Sequence, residues 1–67
     1  MEDYQQRVVD EEKALAEKLG KLEVFIQGHG FKALSDVDRT LLNDQAGHMR
    51  SYLHVLRLRI GRFTLPA

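Results

Sequence analysis

The sequence predicts an all-α protein: a hairpin of two long helices with a short connecting turn or helix, assembled as a compact symmetric homo-oligomer. Three observations carry this expectation. Apolar residues recur at alternating spacings of three and four through both halves of the chain, which is helical periodicity. The only strong punctuation is Gly28-His29-Gly30, with Pro66 near the end. The second half also carries more apolar side chains than one partner helix covers. The expected organisation is one helical domain over residues 1–67, with a helix from about 3 to 27, a loop over 28–35 and a helix from about 36 to 62.

The first helix rests on Val8, Leu15 and Leu22, seven apart, with Leu19 and Ile26 interleaved on the same seam. Good helix formers, among them Gln6, Glu11, Lys13, Ala14, Glu17 and Lys18, fill its surface. Asp3 with Arg7 and Glu17 with Lys21 are favourable i,i+4 pairs. Gly20 costs about 1 kcal/mol relative to Ala and either permits a close helix crossing or is simply tolerated. Gln5 and Glu12 leave the N-terminal half of the seam polar, as a loosely packed end or the border of a polar pocket would be.

Gly28 is placed as the residue that ends the first helix. Phe31, Ala33 and Leu34 then form a short apolar piece of about one helical turn. The second helix opens on Ser35 as N-cap, with Asp36 and Asp38 in its first turn against the positive end of the dipole. Leu42, Met49, Leu56 and Phe63 are seven apart, and Ala46, Leu53 and Ile60 interleave to give an unbroken heptad seam. Beside it lies a second stripe of Leu41, Tyr52, Val55 and Leu58, which a hairpin alone leaves exposed.

A chain of 67 residues makes at most one domain. Folded alone it gains only about 3–5 kcal/mol, and chains of this size usually add a disulfide, a metal or a partner. With no cysteine, disulfides and thiolate zinc sites are excluded, which leaves self-association. Ten basic and ten acidic residues balance to zero, which argues against duplex DNA as a partner. The balance is uneven: residues 1–34 hold seven acids and five bases, residues 35–67 three acids and five bases, and no acid follows Asp44. The C-terminal third therefore suits an anion. The acidic, polar N-terminus is no signal peptide, and no apolar run approaches the roughly 20 residues that cross a bilayer, so no membrane role and a cytoplasmic location are expected.

No catalytic arrangement stands out. Ser51 precedes His54 by three residues without an orienting acid nearby, and His48 and His54 do not share the face of an i,i+4 metal pair. Neither enzymatic activity, a metal nor a cofactor is expected. The arginines Arg57, Arg59 and Arg62 offer bidentate donors to phosphate, although cations also suit the last turns of any helix. Tyr4 is either a ring for stacking on a base or a hydrophobic staple at the helix start. His29 lies between two glycines, either presenting groups to a phosphate or forming a plain turn. Lys18 and Lys21 are phosphate contacts or ordinary solvated side chains.

The run Tyr4-Gln5-Gln6-Arg7-Val8-Val9, then Glu11, Leu15, Lys18, Leu22 and Phe25-Ile26, is followed by Phe31, Leu34, Asp38, Leu41-Leu42, Gln45, Met49, Tyr52, Leu56 and Arg59-Ile60. In order and spacing this resembles the small helical phage proteins, grouped with a short crAss-phage-related family, that sequester cyclic oligonucleotides of the bacterial CBASS defence. The resemblance covers residues 4–63. It implies a hexameric sponge in the host bacterial cytoplasm that binds cyclic dinucleotides, and in some members cyclic trinucleotides, without cleaving them. It implies that Tyr4 stacks on a base and that Lys18, or alternatively Lys21, meets phosphate in one site. Arg59 would meet phosphate in a second site, with the loop around His29 and Gly30 beside it, and Arg7 belongs to the same opening phrase as Tyr4. The rival readings are a helical-hairpin module that binds a protein partner, or a small regulator.

Overall fold

The computed structural model describes residues 2–63. Its elements are α1 (Asp3–Ile26), α2 (His29–Lys32) and α3 (Asp36–Phe63), and no strand occurs among the described residues. The single turn α2 occupies the apolar piece around Phe31. α1 and α3 lie side by side as a rod of 51 × 15 × 14 Å with a radius of gyration of 15.3 Å. A compact chain of this length has a radius of about 11 Å, so nearly every residue of the rod is close to solvent.

The ends form for local reasons. The Glu2 N–H donates to the Gln5 side chain at 3.1 Å and satisfies one of the free donors at the start of α1. At the other end, the Gly28 N–H closes on the Phe25 carbonyl at 3.0 Å. Gly28 follows the C-cap Gln27, as expected, but its φ of −96° is not left-handed. Gly30 has the tighter requirement, since a Cβ there would lie 3.1 Å from Phe25 Cε1. The Phe25 ring uses that space and meets Phe31 edge-on at 6.5 Å. Gly28-His29-Gly30 is thus the entry to a helical turn fitted against Phe25. Ser35 caps α3, its Oγ accepting the Asp38 N–H at 3.2 Å, and Arg39 pairs with Asp36 in the first turn.

The two seams meet. Leu19, Ala46 and Leu53 form the buried centre, with Leu15, Ala16, Leu22, Ile26 and Met49 packed around it; Val8 and Leu56 are buried nearer the termini. The second stripe of α3 stays outside: Leu41 and Leu58 are each 59% exposed, Val55 49% and Tyr52 46%. One antiparallel helix covers one stripe, and among the described residues the second meets α1 through the Tyr52 hydroxyl but is not covered by another element.

Polar bridges run along both edges of the seam. On one edge, Arg57 donates to Glu12 and Arg50 to Glu23, each at 3.1 Å. On the other, the Tyr52 hydroxyl donates to the Glu11 carboxylate. That hydrogen bond, with smaller contributions from burial and the Glu11 charge, holds Tyr52 above its ordinary pKa of 10.0 despite the Arg59 charge. A phenol raised on folding contributes stability that is complete below the unfolded pKa of about 10 and is lost as pH rises through the folded value. Melting temperature is therefore expected to fall more steeply above pH about 10 in the wild type than in Tyr52→Phe.

Gly20 has nothing within 4 Å of a Cβ built on it, so no crossing inside the hairpin requires it. Gly20→Ala is expected to raise the stability of the hairpin by about 1 kcal/mol in thermal melts at low concentration. A fall at assembling concentrations would mean that another copy packs against that position.

Candidate nucleotide-binding groove

α1 and α3 are antiparallel, so the start of α1 lies beside the end of α3. Tyr4 and Phe63 meet there edge to face, with ring centroids 5.8 Å apart and planes at 84°. The pair fixes the Tyr4 ring in place while leaving 57% of the residue exposed. Around it, Tyr4, Gln5, Arg59, Arg62 and Phe63 line an open groove of about 460 Å³. Among the described residues the lining holds two guanidinium groups and no acid, although Glu2 and Asp3 immediately precede Tyr4 in sequence. Neither Arg59 nor Arg62 forms an ion pair among the described residues. An exposed ring next to two fork-shaped donors without an ion pair among the described residues is chemistry suited to a base and a phosphate held together.

Spacing extends the same edge along the rod. Tyr4, Glu11 and Lys18 are seven apart on α1, as Arg59, Tyr52 and Gln45 are on α3. The groove pairs Tyr4 with Arg59, and a hydrogen bond pairs Glu11 with Tyr52. Continuing the register brings Lys18 level with Gln45. Lys18 is exposed and unpaired among the described residues, whereas Lys21 is held by Glu17 at 3.2 Å. That pair is a weak tie, because both side chains are well exposed. Fourteen residues of helix, about 21 Å, separate Lys18 from Tyr4, with the acid Glu11 between them. Arg7 is exposed one turn beyond Tyr4 and does not line the groove. His29 is exposed at the opposite end of the rod.

The three C-terminal arginines do not act as one patch. Arg57 lies on the other edge, neutralised by Glu12, where it lines a separate groove with Arg50, His54 and Gly20. Glu12, read with Gln5 as a possible pocket border, belongs to that edge, while Gln5 borders the Tyr4 groove. Arg62, one of the three arginines offered for phosphate, lines the groove with Arg59, and Phe63 is the lining residue that the sequence does not mark as functional. Phe63 looked like the last seam residue; the signal for its role was that an antiparallel hairpin must bring the last seam position back to Tyr4. No cluster of His, Asp and Glu suited to a metal occurs among the described residues, and no helix among them is long and apolar enough to cross a membrane.

A model of the Sequestin family matches residues 2–62, nearly the whole described chain. The chain belongs to the Sequestin family. The name denotes sequestration, and it fits the cyclic-nucleotide sponges that the motif order of α1 and α3 resembles. No curated protein and no solved structure gives a significant match. The groove, with its Tyr4 ring and two arginines, is the candidate site of this Sequestin chain.

Proposed function

We propose that this Sequestin chain is a non-catalytic sponge. It binds cyclic di- or trinucleotide second messengers and withholds them from CBASS effectors during phage infection of a bacterial host. The single observation that carries the reading is the groove in which an exposed Tyr4 ring stands beside Arg59 and Arg62, neither of which forms an ion pair among the described residues. Family membership supports the sequestering role. Cyclic nucleotides present bases and phosphates on one compact ring, so one aromatic face and two guanidinium groups address both parts. Tyr4 and Lys18 lie too far apart to share one small ligand within a chain. Where both meet the same molecule they come from different copies, in keeping with a hexamer that places pockets between subunits. Such rigid pockets release ligand slowly, which a stoichiometric sponge requires.

Native mass spectrometry with a panel of cyclic di- and trinucleotides tests this. The expected result is a symmetric oligomer that gains a fixed number of ligands, each recovered intact by chromatography. An oligomer that ignores the panel, or that returns linear products, overturns the sponge.

The uncovered stripe of α3 favours a second reading, a hairpin module that docks on another protein. Ligand-dependent melting separates the two. A nucleotide at a hundredfold its Kd stabilises the sponge by about 2.7 kcal/mol, roughly 10–20 °C for a domain of this size, and leaves a protein-docking hairpin unmoved.

A further inference from the structure

Among the glutamates of α1, Glu11 is the exception in its choice of partner. Glu12 holds Arg57, Glu17 holds Lys21 and Glu23 holds Arg50. Glu11 instead accepts a hydrogen bond from the uncharged hydroxyl of Tyr52, across the hairpin on α3. Cations stand close by nonetheless. Arg7 precedes Glu11 by one turn of α1. Arg59 lies one heptad beyond Tyr52 on α3, near enough for its charge to act on the Tyr52 hydroxyl. Neither arginine forms an ion pair among the described residues. One heptad of helix is about 10 Å, a distance that the extended side chains of an arginine and a glutamate close between them. Glu11 is also the acid on the edge that carries the Tyr4 groove, seven residues from Tyr4 and seven from Lys18.

We propose that Tyr52 is a positioning residue for the Tyr4 groove: its hydroxyl holds the Glu11 carboxylate and so leaves Arg59 available to phosphate. A phenol gives a carboxylate a donor without using up a cation. An O–H bond to a charged oxygen is among the stronger hydrogen bonds, whereas an exposed ion pair is worth little, so Tyr52 keeps Glu11 against the arginines. Without the hydroxyl, Glu11 turns to them. Arg7 is the poorer partner, because an i,i+4 pair with the acid on the C-terminal side is the less favourable orientation. Arg59 therefore receives the carboxylate, and a phosphate then has to displace it. The effect on affinity rests on the groove as the nucleotide site, but the capture of Arg59 by a released Glu11 is measurable without nucleotide.

Tyr52→Phe keeps the ring and removes only the hydroxyl. In the ligand-free protein, nitrogen NMR follows the Arg59 Nε–H. Tyr52→Phe is expected to move that signal, and adding Glu11→Gln should return it to the wild-type position. In isothermal titration with a cyclic dinucleotide, Tyr52→Phe is expected to bind about fivefold more weakly, the strength of a good exposed ion pair. The double variant Glu11→Gln/Tyr52→Phe should bind like the wild type. A merely structural role for Tyr52 predicts the opposite, since the double variant lacks the same hydrogen bond and would stay as weak as Tyr52→Phe. An Arg59 signal that does not move in Tyr52→Phe, or a double variant as weak as the single, overturns the proposal. A wild type that binds no cyclic dinucleotide, with an Arg59 signal that still moves and returns, sinks the groove as the nucleotide site and supports the hold of Tyr52 on Glu11.

Discussion

Replacing Tyr4 with alanine is expected to weaken cyclic-nucleotide binding roughly tenfold to a hundredfold. A base stacked on an aromatic ring is worth about 1–3 kcal/mol, and each 1.4 kcal/mol is tenfold in affinity. Tyr4→Phe should bind close to wild type, since the ring and its edge-to-face contact with Phe63 survive. Arg59→Ala should cost about 1.5–3 kcal/mol, the value of a charge-assisted hydrogen bond, and Arg59→Lys should recover only part, because lysine keeps the charge without the planar fork. Arg57→Ala is the internal control. It removes an arginine two residues away that faces the opposite edge and is already engaged by Glu12. Isothermal titration with one cyclic dinucleotide decides the matter. If Tyr4→Ala and Arg59→Ala bind like the wild type while Arg57→Ala does not, the site lies on the other edge of the hairpin.

The second large effect is on folding. Leu56 has no exposed surface at all, and Leu56→Ala is expected to cost about 2–5 kcal/mol. A lone 67-residue hairpin holds about 3–5 kcal/mol, so the variant should be largely unfolded by circular dichroism at concentrations where the chain is monomeric. Leu58→Ala, two residues on and 59% exposed, should leave the monomer within about 0.5 kcal/mol of the wild type. If Leu58→Ala instead lowers the melting temperature only as protein concentration rises, that side chain is buried between copies. The contrast between these leucines measures how far stability comes from the hairpin and how far from assembly.

Much of this was legible because helices advertise themselves locally. The heptads through Val8, Leu15 and Leu22 and through Leu42, Met49 and Leu56 need only the 3.6-residue period, and Ser35 needs only the orphan donors of the helix it starts. The surplus of Leu41, Tyr52, Val55 and Leu58 was equally readable, because a stripe that one partner cannot cover can be counted in sequence. The site was legible in part. Tyr4 and Arg59 were each selected for their chemistry, but the resemblance assigned them to different sites, whereas the fold brings them to one groove. The run Arg57, Arg59 and Arg62 looked uniform, and the hairpin divides it, because residues two apart on a helix point in different directions.

That the chain is helical, where its long helices begin and end, and which faces are apolar can all be read from the residue order, since each follows from interactions within a few residues. That Glu12 neutralises Arg57, that Tyr52 binds Glu11, and that Phe63 holds Tyr4 beside Arg59 and Arg62 follows from the packed hairpin alone. Those pairings depend on the register between α1 and α3. Register is set by how two complete seams interlock across the turn at α2, a long-range packing outcome that no local spacing encodes.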